Sequence, residues 1–219
     1  CPSELDNWTW NLSWWMDPVL LGKYPEEGLR LYERFLPDIT QEDMKLISEP
    51  IDFLGQNIYN GHMVGAPTEK SSDDAKRLGY EVCRRFDGFP RTAVKWPVTC
   101  ECLYWGPKFI SERYHKIPIY ITENGISCTD VISLDQKVHD PNRIDFLARY
   151  IGRLKAAAEE GIDIRGYFQW SFTDNFEWSE GYNERFGLVY IDYPTQKRIP
   201  KDSAYWYKTV IGNNGSDLS

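Results

Sequence analysis

Three short apolar runs, each preceded by helix-like sequence, constrain this chain more than any other feature. They are IDFLGQNIYN (Ile51–Asn60), IPIYITENG (Ile117–Gly125) and IDIRGYFQWSF (Ile162–Phe172). The first two are largely apolar rather than alternating, which predicts strands covered on both faces, as in a parallel sheet. Ahead of the first run, Gln41–Ser48 predicts a short helix with Thr40 as its cap. Ahead of the second, Pro107–His115 predicts a helix that turns Phe109, Ile110 and Tyr114 inward. The clearest helix lies before the third. Asp140 stands at its cap position and Pro141 in its first turn. Ile144, Leu147, Ile151, Leu154 and Ala158 then form one apolar stripe, and Gly161 is placed to end the helix in a left-handed conformation. Ser71–Gly88 is charged and predicts a loop with at most one helical turn. Helix and strand alternate three times, so the expected class is α/β, with parallel strands and right-handed crossovers.

In such folds, ligand sites gather at the carboxyl ends of the strands. The second run ends there in a carboxylate, Glu123, which needs a partner or a chemical purpose because burying it unpaired is costly. Asn57 and Tyr59 stand at the same end of the first run and Trp170 at that of the third. The third run leads into WSFTDNFEWSEGYNERFG, which interleaves Trp170, Phe172, Phe176, Trp178 and Phe186 with Asp174, Glu177 and Glu180. It is too irregular for an amphipathic helix and too aromatic for an ordinary loop. Flat rings beside carboxylate acceptors suit a ligand ring that carries many hydroxyls. Aromatics make up 15% of the 219 residues, nine of them tryptophan, so the chain has rings to spare for such a site.

Other ligands fit poorly. A net charge of −8 with no basic block argues against nucleic acid. No 18 consecutive residues are apolar, which argues against a membrane span, and the first ten residues, CPSELDNWTW, lack the pattern of a secretory signal. Five cysteines are an odd number for a disulfide framework. Cys100 and Cys102 form a C-x-C without a second pair, and His62, His115 and His139 are scattered. The expectations are reduced cytoplasmic thiols, no metal and no cofactor.

The motifs carry a resemblance. DFLGQNIY, KWPV, PIYITENG, DPNRIDFL, IRGYFQWSFTDNFEWSEGYNERFGLVYIDY and KRIPKDSAYWY occur in order from Asp52 to Tyr207. Together they resemble glycoside hydrolase family 1, the β-glucosidases and 6-phospho-β-glucosidases. The resemblance implies that Glu123 is the catalytic nucleophile and that Tyr59 orients it, with Asn57 in the same strand-end group. It implies that Trp170 is the platform beneath the glycone, that Glu177 accepts from the 4- and 6-hydroxyls, and that Trp178 donates to the 3-hydroxyl. Phe186 would lie along the glycone pocket and Trp96 would shape the aglycone side. Ser179 fits phosphorylated and unphosphorylated sugars alike, but Glu180 would repel a phosphate. The expected substrate is therefore an unphosphorylated β-glucoside or cello-oligosaccharide.

The family's acid/base glutamate sits in an Asn-Glu-Pro motif, which this sequence lacks; SEP at Ser48–Pro50 precedes the first strand. The resemblance implies that residues 1–219 are the C-terminal portion of one (β/α)8 TIM-barrel domain, carrying strands six to eight and incomplete alone. Its open edges and inner face would be met by the N-terminal half of the barrel or by a second copy of the chain. A half-barrel that binds sugar or self-assembles without catalysis is the alternative.

Overall fold

The computed structural model describes residues 11–115 and 117–219. Cys1 lies outside them. The chain opens with α1 (Leu12–Leu21), which Asn11 caps by accepting from the Ser13 amide at 3.0 Å. Then come α2 (Glu26–Tyr32) and α3 (Gln41–Ile47). Thr40 and Asp43 each accept from the other's amide, a reciprocal cap that bears out the predicted start of α3.

β1 (Leu54–Asn57) is followed by β2 (Val64–Gly65), α4 (Asp73–Leu78) and β3 (Glu81–Val82). The segment Ser71–Gly88 is thus more ordered than predicted, because β3 returns to pair antiparallel with β2. Next are α5 (Cys102–Tyr114), β4 (Ile119–Asn124), α6 (Pro141–Glu159) and β5 (Ile164–Gln169). A hairpin of β6 (Val189–Asp192) and β7 (Lys197–Pro200) leads into α7 (Asp202–Gly212).

The strand order is β1-β4-β5, parallel throughout, with Leu54 opposite Ile119 and Ile119 opposite Ile164. Ile119 and Ile121 point to one face. There they pack with Leu103 and Ile110 of α5 and with Phe146, Leu147, Tyr150 and Leu154 of α6. Burying each such side chain contributes about 1.5–3 kcal/mol. On the opposite face Phe53 meets Tyr120 edge-on at 5.1 Å, yet Phe53 is 52% exposed and Phe168 57%. Among the described residues, therefore, the sheet is covered on one face only, contrary to the expectation from its apolar runs. No closed barrel forms among them.

Two helices depart from the predicted faces. α5 starts five residues before Pro107, whose ring is buried inside the helix with Leu103, Ile110 and Tyr114. That packing offsets the cost of a proline in a helix interior, about 3 kcal/mol. Phe109 does not point inward. It is 58% exposed and stacks on Trp105 at 5.3 Å. In α6 the buried stripe is Arg143, Phe146, Leu147, Tyr150, Leu154 and Ala157; Ile144 and Ile151 are only half-buried and Ala158 is exposed. The stripe rotates because Arg143 is buried, which hydrophobic periodicity cannot foresee. Asp140 occupies the cap position without capping: its carboxylate pairs with Arg143 and accepts from Ser203. Gly161 is left-handed, at φ 93°.

His139 sits just before α6, with Nδ1 2.6 Å from Asp202 and Nε2 3.1 Å from Asp135. The hydrogen bond to Asp202, then that to Asp135, raises its pKa above the ordinary 6.5. A raised folded-state pKa gives stability that is fully present below the unfolded value and is lost as pH rises through the folded one. Thermal melts should therefore show the margin of the native chain over His139→Gln shrinking as pH climbs from 6.5. A constant margin would dismiss the linkage.

Candidate active site

Glu123 is half-buried near the end of β4. Tyr59 Oη donates to its Oε2 at 2.7 Å. The Tyr59 hydroxyl is pushed well above its usual range by burial, by that hydrogen bond, and by the charges of Glu123 and then Glu177. Tyr59 thus remains a neutral donor. A hydrogen bond to a charged group contributes about 1.5–3 kcal/mol, which offsets the cost of holding the carboxylate in the rim.

The backbone explains how Tyr59 reaches it. β1 ends at Asn57, but the Ile58 amide still donates to the Glu123 carbonyl at 2.9 Å. The buried Asn124 side chain completes the junction. Its Nδ2 donates to the Ile58 carbonyl at 2.8 Å, and its Oδ1 accepts from Tyr167 Oη at 2.7 Å. One amide therefore joins β1 to β5 across β4. In the sequence this asparagine reads only as part of an Asn-Gly pair that permits a tight turn; its position directly after a strand-end carboxylate was the available signal.

Rings close around Tyr59. Trp96 lies 5.2 Å from it and Phe186 6.4 Å, and Trp96 and Phe186 are 6.1 Å apart. Trp170 follows β5. Its amide donates to the Asn124 carbonyl at 2.8 Å and its indole Nε1 to Glu177 Oε2 at 3.2 Å. The Trp170–Ser171 peptide is cis. A Cβ on Gly125 would stand 1.9 Å from the Trp170 carbonyl oxygen, so only glycine lets these segments meet. Gly125→Ala should cost at least about 2 kcal/mol in urea denaturation, since overpacking a fitted site forces backbone shifts. An unchanged midpoint would contradict this close approach.

Two expected residues stand apart. Asn57 is exposed and its Oδ1 accepts from Thr122 Oγ1 at 2.7 Å. Trp178 is 81% exposed in the 3-10 turn Trp178–Glu180, and its indole has no hydrogen bond or ring contact among the described residues. Asp174, grouped with Glu177 by sequence, is not free to read hydroxyls. Its carboxylate is buried and accepts from Lys201 Nζ at 2.8 Å, Arg185 at 2.5 Å and the Gly187 amide at 3.0 Å.

That contact belongs to a cluster the sequence did not reveal. Lys201 also reaches Asp130 at 2.5 Å. Arg143 pairs with Asp130 at 2.7 Å and with Asp140, and donates to the Arg185 carbonyl at 2.8 Å. Three carboxylates thus meet three cations, fastening the loop after β4, the start of α6, the segment after β5 and the start of α7 to one another.

The thiols stand away from this chemistry. Burial raises Cys102 to about 12 and Cys128 to about 11, and Cys100 is also raised. No group of three or more metal-ligating side chains occurs among the described residues, and no described helix is long and apolar enough to cross a membrane.

The sequence model for glycosyl hydrolase family 1 matches residues 3–216. The chain belongs to glycosyl hydrolase family 1. Among curated family 1 proteins it is 46% identical over 205 residues to Beta-glucosidase A of Thermotoga maritima, covering 94% of this chain and 44% of that protein. It is 44% identical to the 1,4-beta-D-glucan glucohydrolase of Thermotoga neapolitana, with the same coverage. A solved family 1 structure, the Thermotoga maritima β-glucosidase in complex with deoxynojirimycin, superposes with a TM-score of 0.80 at 44% identity, again over 94% of this chain and 44% of that one. The same enzyme with castanospermine gives 0.82 over 98% and 47%. The chain thus spans less than half the length of these family 1 relatives, and its α/β sheet is part of their TIM barrel.

Proposed function

We propose that this chain supplies the nucleophile of a retaining β-glucosidase. The observation that carries the reading is the 2.7 Å hydrogen bond from Tyr59 to Glu123 inside a ring of aromatics. Tyr59 holds one carboxylate oxygen and leaves the other to attack the anomeric carbon. The Glu123–C1 ester bond forms as the C1–O glycosidic bond breaks, and a second carboxylic acid protonates the departing oxygen. That group then takes a proton from water, which hydrolyses the ester with net retention. In retaining enzymes the two carboxyls stand about 5–5.5 Å apart.

On this reading β1, β4 and β5 are strands six, seven and eight, residues 1–219 are the C-terminal portion of the barrel domain, and the second acid comes from strands beyond these residues. The exposed Phe53 and Phe168 support it, because a barrel would bury that face. Trp170 and Glu177, already hydrogen-bonded to each other, form the glycone floor and its hydroxyl acceptor. Asn57, Trp178 and Phe186 complete the glycone contacts and Trp96 the aglycone side. Glu180 beside Ser179 favours an unphosphorylated β-glucoside or cello-oligosaccharide. The partner is the complementary part of the barrel.

The test is to incubate the chain, alone and with the complementary strands, with a 2-deoxy-2-fluoro glucoside and locate the mass adduct. An adduct on Glu123 only in the presence of the complement supports the split site. Sugar binding with no adduct in either mixture supports a module without catalysis.

A further inference from the structure

Four cations and one carboxylate lie between Arg84 and Lys95, in a chain whose net charge is −8. They line a cavity of 740 Å3 formed by Val82–Phe89, Arg91, Thr92 and Lys95. Asp87 stands 3.5 Å from Arg84, which leaves Arg91 and Lys95 without a carboxylate partner among the described residues. Arg85 donates to the Gly61 carbonyl at 2.7 Å, two residues past Tyr59, and sits over the Phe89 ring. Phe89 in turn meets the exposed Phe86 edge-on at 5.2 Å. The cavity therefore offers positive charge together with an aromatic face.

Its place relative to the candidate active site is fixed by a tight turn. The Thr92 amide donates to the Trp96 carbonyl at 2.8 Å, and the buried Thr92 hydroxyl accepts from the Trp96 amide at 3.1 Å. The Ala93 and Val94 amides donate to the carbonyl and the hydroxyl of Ser127, at 3.1 and 3.0 Å. Ser127 lies four residues beyond Glu123 on the same segment. The turn thus holds Lys95 in the cavity wall and Trp96 against Tyr59, with both tied to the segment that follows the strand carrying the carboxylate. Lys95 occupies this corner at φ 68°, a conformation in which a lysine is strained and a glycine is not.

We infer that this cavity is a subsite for an anionic group on the leaving-group side of the substrate, a carboxylate-bearing sugar or ring seated beyond Trp96. The inference rests on the glycosidase reading and adds a substrate class to it: β-glucosides whose aglycone is acidic. Opposite charge at a rim speeds encounter and sharpens selection, and it fades with salt.

Calorimetric titration of the chain completed by its complementary strands, with three ligands, tests this. Cellobionate carries a glucose joined to an acid, cellobiitol is its neutral counterpart, and gluconate is the acid without the glucose. At low salt cellobionate should bind ~5-fold more tightly than cellobiitol, as expected for two exposed ion pairs. The preference should vanish in 0.5 M NaCl (about 4 Å Debye length) and in the double variant Arg91→Gln/Lys95→Gly. Lys95→Gly relieves the strained corner, so lost preference in that variant cannot be put down to misfolding. Equal binding of the two disaccharides overturns the subsite and leaves the glycosidase reading in place. A preference that survives in the double variant overturns its location. Gluconate binding as tightly as cellobionate marks an independent anion site and overturns the link to the aglycone. Binding of neither disaccharide overturns both this inference and the glycosidase reading.

Discussion

Glu123→Gln, in the barrel completed by its complementary strands, should lose turnover of an aryl β-glucoside by on the order of 10⁴-fold or more, the scale seen when a reacting group is removed. The substitution keeps the size and the Tyr59 hydrogen bond, because an amide oxygen still accepts. What it removes, on the proposed mechanism, is the anion that forms the ester. Sugar binding should accordingly stay close to native while the fluoro-glucoside adduct disappears. Tyr59→Phe sets the comparison. It leaves the Glu123 carboxylate in place but takes away the donor at 2.7 Å, so labelling should slow without stopping. If Glu123→Gln turns over within tenfold of the native rate, the carboxylate is not the nucleophile. Native turnover with lost sugar affinity would instead make it a binding group.

Lys201→Met is expected to cost about 3–5 kcal/mol of stability in urea unfolding, the penalty for leaving a buried charge without its partner. Lys201 is wholly buried between Asp130 and Asp174. Arg143 and Arg185 remain after the change, so three carboxylates would face two cations. A total stability of about 5–15 kcal/mol makes such a loss large. The double variant Lys201→Met/Asp130→Asn restores the balance and should recover part of it, a coupling that separates charge from packing. A single-variant loss under 1 kcal/mol would mean that the cluster does not hold this end of the sheet together. Because Asp174 lies three residues before Glu177, the same variant should also weaken glycone affinity in any fraction that stays folded.

The strand runs were legible because each is a short apolar segment followed by polar strand-end residues, and their parallel order followed from the helices between them. The pairing of Glu123 with Tyr59 was legible only through the motif resemblance, since the two are 64 residues apart. The rotated face of α6 was not legible. An arginine counts as polar in any periodic pattern, and only the three-dimensional meeting of Asp130 and Asp140 makes Arg143 a core residue. The same holds for Lys201 and Asp174. Phe109 failed for the opposite reason: an apolar side chain can spend its surface on a neighbour such as Trp105 outside the core. The exposed sheet face was legible through the motif resemblance, which implied an open inner face, but not from the apolar runs, because such a run records that a strand is to be covered, not which residues cover it.

The amide of Asn124, bonded to Ile58 on one side and Tyr167 on the other, works as a gauge block. The spacing between the ends of β1 and β5, on either side of Glu123, is set by one side chain and cannot be adjusted strand by strand. Diversification of such a site is therefore confined to the loops beyond the strand ends, where Trp178 and the basic turn lie, while the spacing across β4 is inherited unchanged.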